Sequence, residues 1–201
     1  NVYPNYPVTG ITVGLYDGET KLDEYTADCT ANSANSIEGV APFPVIYNGG
    51  EAKTLTVKIS ASGSLYLRTV QLNYLSKYTF TLDGSETIAS KEDDSVTLTS
   101  SGISAHGSYG ATTKNGTLTF DAPGSGIINV YPNYPVTGIT VGLYDGETKL
   151  DEYTADCTAN SANSIEGVAP FPVKYHGEAK TLTVKISASG SLYLRTVIGE
   201  F

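Results

Sequence analysis

Residues 1–70 return almost letter for letter at residues 129–197. The opening ten letters, NVYPNYPVTG, come back unchanged at residues 129–138. Two positions differ, Ile46 against Lys174 and Asn48 against His176. One glycine is also missing, so that Asn48-Gly49-Gly50-Glu51 becomes His176-Gly177-Glu178. All of these changes fall in one short stretch that reads as a turn. A middle segment, residues 71–128, occurs once between the copies. Solenoid repeats drift in sequence and have periods of about 20–50 residues, whereas this period is as long as a whole domain. Identity this close points to recent duplication, recombination between tandem copies, or deliberate engineering. The last four residues, Ile198-Gly199-Glu200-Phe201, form a tail that departs abruptly from Gln71-Leu72-Asn73-Tyr74 after the first copy, and read as a joint.

The repeat limits how the chain folds. One copy is small for an independent domain, and the middle segment is smaller. One copy plus the middle segment reaches the usual domain size. The middle segment is therefore expected to complete a sandwich with the copy before it or with the copy after it. These two solutions are circular permutants of each other. Either one leaves the other copy with unpaired strand edges and an apolar face that need a partner. The alternative is that each copy folds alone and the middle segment is a separate small module.

The local pattern is β throughout. Ile11, Val13 and Leu15 alternate with polar or small neighbours, and Asp17-Gly18 supplies a hairpin turn before a returning strand from Lys21 to Tyr25. Thr30 to Asn35 reads as a loop. Pro42-Phe43-Pro44 introduces a short apolar run that reads as an edge strand, because proline donates no ladder bond. Leu55, Val57 and Ile59 alternate with Thr54, Thr56 and Lys58, the pattern of a half-buried antiparallel strand. Leu65 and Leu67 follow a Ser62-Gly63 turn. In the middle segment Tyr78, Phe80 and Leu82 alternate before Asp83-Gly84, and Val96 with Leu98 marks another strand. Asn115-Gly116 before Leu118 and Phe120 predicts a further hairpin, and 121–126 reads as a loop or linker. No segment keeps a helical period. Short strands separated by frequent turns indicate an all-β, antiparallel sandwich or barrel. Thr, Val, Tyr and Ile suit such strands, and Tyr alone contributes 15 residues.

The formal net charge is −9, which repels nucleic acid. No apolar run reaches the length of a membrane span. No basic or apolar leader precedes Asn1, so the chain reads as a mature or trimmed piece. Catalysis needs convergent titratable groups, and they are scarce. The two histidines, His106 and His176, do not pair with a nucleophile motif, and His176 stands where the first copy has asparagine. His106 reads as a surface-loop residue. Cys29 and Cys157 are equivalent members of the copies and read as small buried hydrophobes, with a bridge between copies as the alternative. Lys91-Glu92-Asp93-Asp94 lacks the alternating ligands of a calcium loop and reads as a solvated corner. Gly124-Ser125-Gly126 leads into a strand, not a helix, which excludes a phosphate cradle. No cofactor and no metal is expected. Tyr3 and Tyr6, with their copies Tyr131 and Tyr134, sit on proline-stiffened backbone where they could stack on sugar rings or pack over the end of a sandwich.

The stretch KTLTVKISASGSLYLRTVQLNYLSKYTFTLDG, residues 53–84, resembles the closing strands of the fimbrillin family, pilin-like surface proteins of Bacteroidetes. The matching residues are Leu55, Val57, Ile59, Leu65, Leu67, Lys77, Tyr78, Thr79, Phe80 and Gly84. The resemblance implies a Greek-key β-sandwich exported to the exterior of a Gram-negative outer membrane. It implies a non-enzymatic structural or adhesive subunit, locked to neighbours by donated strands. In such bacteria a triplet like Asp94-Ser95-Val96 accepts O-linked sugar. Asn115-Gly116-Thr117 also spells an N-glycosylation sequon, although a hairpin turn accounts for it. The expected assembly strands are those carrying Leu55, Val57 and Ile59 and their copies Leu182, Val184 and Ile186. The expected partners are further copies or other surface subunits, with a glycan on the tyrosines as the alternative.

Overall fold

The computed structural model describes residues 1–33, 36–49 and 53–201. The chain is all β, with antiparallel sheets arranged as a sandwich. It divides into two compact units, residues 1–74 and 75–201. The first holds the first copy. The second holds the middle segment and the second copy, which share one core.

Among the described residues the first unit has five strands: β1 (Val2–Pro4), β2 (Val8–Asp17), β3 (Thr20–Cys29), β4 (Thr56–Ser60) and β5 (Leu67–Val70). β2 lies between β3 and β4, and β1 pairs with β5. The β2–β3 hairpin forms where Asp17-Gly18 predicts it, with Asp17 opposite Thr20. Gly18 takes φ +57°, a conformation that glycine adopts without a Cβ penalty. Gly10, also at positive φ, sits where the β2–β3 register slips, and its N–H donates to Asp28 Oδ1 at 2.7 Å. This is a bulge with its extra amide satisfied by a side chain. Phe43, within the anticipated edge strand, makes an isolated bridge to Val2. Thr30 to Ser33 forms no strand, and the rest of that expected loop, Ala34 and Asn35, lies outside the described residues.

The second unit begins with middle-segment strands β6 (Lys77–Thr81), β7 (Thr87–Ala89), β8 (Thr97–Ser101), β9 (Ser104–His106) and, after a 3-10 turn, β10 (Gly110–Ala122). The second copy adds β11 (Gly126–Pro132), β12 (Val136–Asp145), β13 (Thr148–Cys157), β14 (Phe171–Tyr175) and β15 (Lys180–Glu200). One sheet path runs β13-β12-β15-β10-β8-β7. The far half of β15 carries β11 on one edge and β6 on the other, and β14 pairs with β11. The long strand thus serves two sets of partners. Leu182, Val184 and Ile186 point into the core opposite Phe120, Leu118 and Gly116 of β10.

Shared elements keep the same register in both copies. Val8 faces Cys29 as Val136 faces Cys157, and Leu15 faces Val57 as Leu143 faces Val184. Val2 faces Val70 as Val130 faces Val197.

Several local expectations are corrected. In the second copy Ser189-Gly190, the counterpart of Ser62-Gly63, makes no turn and runs inside β15. β10 flanks β15 along both of its halves, and between them β15 bulges, with residues 188–191 opposite Lys114 alone. Asn115-Gly116 is not a hairpin turn either. It lies within β10 at a register slip after Thr113. There a Cβ on Gly116 would meet Ile103 Cγ1 and Thr113 Oγ1 at 2.8 Å, so glycine is needed for close packing at a bulge. Asp83-Gly84 turns the chain, but the strands beside it, β6 and β7, pair with β15 and β8 and not with each other. The 121–126 loop shrinks to Pro123-Gly124-Ser125. The tail is built in, with Ile198 to Glu200 paired to β11 and β6.

The repeat supplies its own control for the value of the middle segment. Leu182→Ala removes a fully buried side chain and is expected to cost about 2–5 kcal/mol. Leu55→Ala changes the same residue at a half-exposed site and is expected to cost under about 1 kcal/mol. Urea titrations of the two variants test this, and equal losses would mean that the first copy is packed as tightly as the second.

Candidate assembly site

The strongest functional feature is the face that the first copy leaves uncovered. Val57 is 39% exposed while Val184 is 0%; Leu67 is 44% exposed while Leu194 is 0%; Val70 is 56% exposed while Val197 is 2%. Leu55 and Ile59 are half-buried, while Leu182 and Ile186 are buried. Sequence and local register are the same, so the difference comes from what packs on top. In the second unit that cover is β10 beside the first half of β15 and β6 beside the second half. Among the described residues β4 pairs only with β2, and β5 only with β1. Beyond β5, Leu72 and Tyr74 are also exposed. The structure thus places Val57 and Ile59 on the open edge strand β4, with Leu55 just before it, and buries their copies Leu182, Val184 and Ile186 in a core.

An open strand edge with an apolar face is a template for pairing, and proteins usually guard one with charge or a covering loop. The second unit does so at β6. Glu92 accepts hydrogen bonds from the Thr79 N–H at 2.5 Å, the Thr79 hydroxyl at 2.8 Å and the Ser90 hydroxyl at 2.9 Å. The Lys91 N–H donates to the Thr79 carbonyl at 3.0 Å. Both backbone groups of Thr79 on the outer side of β6 are therefore capped. The acidic corner is more than a solvated loop: Glu92 works as an edge cap. Desolvation pushes its pKa up, but the bonds from Thr79 and Ser90 outweigh it and hold the carboxyl at about 2, against an ordinary value of 4.5. Among the described residues β4 carries no such cap. Its Lys58 ammonium lies 4.2 Å from the centre of the Tyr16 ring on the adjacent strand β2, and Lys185 does the same over Tyr144.

The four tyrosines proposed for sugar stacking separate into two settings. Tyr134 joins Tyr109, Tyr193 and His106, with ring centroids 4.5–5.9 Å apart. Tyr6 meets Tyr66 at 5.6 Å and 67°. The rings of the larger group tilt against each other by 45–83°, the edge-to-face geometry of packing aromatics. Tyr3 instead donates to Gln71 Oε1 at 3.3 Å. Tyr131 is half-buried, and burial followed by the nearby Glu200 charge pushes its phenol pKa up. Tyr109 and Tyr193 carried no signal in the sequence as members of a cluster, since they are distant in the chain.

His106 lies on the short strand β9, not in a loop, and its ring belongs to that aromatic group. Cys29 and Cys157 are free and buried. Their thiols point at the Pro4 and Pro132 carbonyls, at 3.7 and 3.5 Å, and burial pushes the Cys157 thiol pKa up. Among the described residues no group of three His, Cys, Asp or Glu could hold a metal ion, and no helix is long and apolar enough to cross a membrane. Asp94-Ser95-Val96 lies in an exposed turn, where Asp93 Oδ1 accepts from the Ser95 hydroxyl at 2.7 Å. No family model and no curated protein matches the chain.

Two outcomes are expected. The Glu92 carboxylate has a folded pKa below its ordinary value, so its stabilisation is present above about 4.5 and fades as pH falls toward 2. Glu92→Gln should melt a few degrees below the parent at pH 7, with the gap closing near pH 2; a gap that persists in acid would show that the carboxylate charge is not the source. The second outcome concerns hydrogen exchange in dilute solution. Peptides starting at Tyr47 and Tyr175 differ in mass, because of Asn48, Gly50 and His176. The β4 peptide should exchange well ahead of its β15 counterpart, and equal protection would mean that the β4 edge is covered.

Proposed function

We propose that this chain is a non-enzymatic structural or adhesive subunit of a bacterial cell surface, assembling through the open first copy by strand or segment exchange. The observation that carries the reading is the contrast between Val57, Leu67 and Val70 and their buried counterparts in a near-identical repeat. An edge that is complete in every respect except a neighbouring strand is suited to accept one. The middle segment occurs once and the acceptor twice, so one acceptor stays open in every chain whichever copy is filled. That open copy joins the chain to another copy or to another surface subunit. The resemblance of residues 53–84 to fimbrillin-type closing strands supports the same reading and the extracellular location that goes with it.

Carbohydrate binding is the second reading, and what favours it is Tyr6 and Tyr66, exposed by 52% and 59%. The tilt between their rings offers edges more than a flat platform, which places it behind assembly.

Molar mass by light scattering across a dilution series tests the first reading. Dimers or longer species that persist on dilution, and that Val57→Asp abolishes, are the expected result. A monomer of 21.2 kDa at all concentrations, in the absence of any other surface subunit, would remove self-assembly and make glycan titration of Tyr6→Ala and Tyr66→Ala the deciding experiment.

A further inference from the structure

We propose that the open face of the first copy is a second docking site for the middle segment of the same chain, so that strands β6 to β10 can pass from one copy to the other. The proposal rests on the reading of that face as a strand acceptor and names its occupant. What seats the segment on the second copy is a set of residues that the first copy also owns. Transposing the β10–β15 register puts Phe120 opposite Leu55, Leu118 opposite Val57 and Gly116 opposite Ile59. The supporting ladders are already in place in the first copy, because β1–β5, β2–β3 and β2–β4 pair residue for residue as in the second.

The connections permit the move. In the second unit β6 pairs with Thr196 to Glu200. The same register on the first copy pairs Thr81 with Thr69 and Lys77 with Asn73. That leaves Tyr74-Leu75-Ser76 as the loop of a hairpin, one of the common short lengths. In the observed state the tether lies at the other end, where Pro123-Gly124-Ser125 links β10 to β11. Each copy is thus joined to the segment by one short covalent link.

The flanks decide which copy holds the segment at rest. The residues flanking the second copy, Ile127, Ile128 and Ile198, are all buried. At the position of Ile198 the first copy is followed by the polar Gln71. The observed state therefore gains apolar burial that the exchanged state lacks. β10 sits between β15 and β8, so it leaves only when the second unit opens, and exchange is as slow as that opening.

Engineered disulfides report the two states. Thr119 and Thr183 are register partners with hydroxyls 3.3 Å apart, and directly opposed strand residues lie within disulfide reach. Thr56 is the first-copy equivalent of Thr183. In a Cys29→Ala/Cys157→Ala background, Thr119→Cys with Thr183→Cys should link within the chain as soon as it is oxidised. Thr119→Cys with Thr56→Cys should link within the chain slowly from the native state and more fully after unfolding and refolding in oxidant. Adding Val184→Asp, which places a carboxylate in the second groove, should raise that link further. It should also shift hydrogen-exchange protection from the Tyr175 peptide to the Tyr47 peptide.

No intrachain link at Thr56→Cys/Thr119→Cys in any of these conditions, with the control pair linking normally, overturns the proposal. A link between chains at that pair overturns the intrachain handover and leaves the acceptor reading standing. An intrachain link in a chain that is monomeric at every dilution supports the handover while removing self-assembly.

Discussion

The pairing of β10 with β15 is the interaction on which the second unit depends. β10 lies inside the sheet path, with β15 on one side and β8 on the other, and Leu118, Phe120 and Ala122 complete the core over Leu182, Val184 and Ile186. It also flanks both halves of β15, which bulges between Ser187 and Leu192. The first copy shows the consequence of its absence. β4 stops at Ser60, β5 starts again at Leu67, and the buried residues shrink to a cluster around Val2, Ile11, Val13, Cys29 and Phe43. Proteins rarely display a folded half beside the same half completed; here the duplication puts both in one chain.

Much of this was legible in the sequence. The alternation of Leu55, Val57 and Ile59 predicted a half-buried strand, and Asp17-Gly18 predicted a hairpin, because side-chain period and turn chemistry are local properties. The imbalance of two copies against one middle segment was countable in the letters, and so was the prospect of an uncovered face. What stayed illegible depends on neighbours distant in the chain. Ser62-Gly63 and Ser189-Gly190 have identical flanks, yet one lies between two strands and the other inside a single strand. No local rule could separate them. Asn115-Gly116 carries a strong hairpin signal, but Ile103 and Thr113 crowd Gly116 and a bulge wins. Glu92 looked like one acid among several until the fold set Thr79 beside it.

The contrast between a guarded and an unguarded edge bears on function more directly than any single residue. At β6 a carboxylate and a backbone amide close the outer groups of Thr79, which stops that strand from recruiting another. At β4 the Lys58 ammonium is turned onto the Tyr16 ring. Both devices come from the same kind of sequence, short polar residues and a few charges, so the difference lies in placement. Among the described residues, edge protection is found on β6, where the middle segment brings it, and not on β4. The net charge of −9 disfavours indiscriminate clumping of such faces through long-range repulsion, while at contact distance apolar burial and ladder bonds dominate.

Because the acceptor residues are identical, they cannot themselves determine which copy is filled. The copies differ in the residues that flank them and, inside the repeat, at Ile46 against Lys174, Asn48 against His176 and one missing glycine. Ile127 and Ile128 extend β11 so that it pairs with both β14 and the end of β15. Ile198 and Gly199 continue β15 into the core, where the first copy has Gln71 and Leu72. The direction of the tether matters as well, since Pro123-Gly124-Ser125 delivers β10 straight into β11. The flanks Ile127, Ile128 and Ile198 are buried beside the filled copy, whereas Gln71 and Leu72 follow the open one and Leu72 is exposed, so the same repeat is closed at one end of the chain and open at the other.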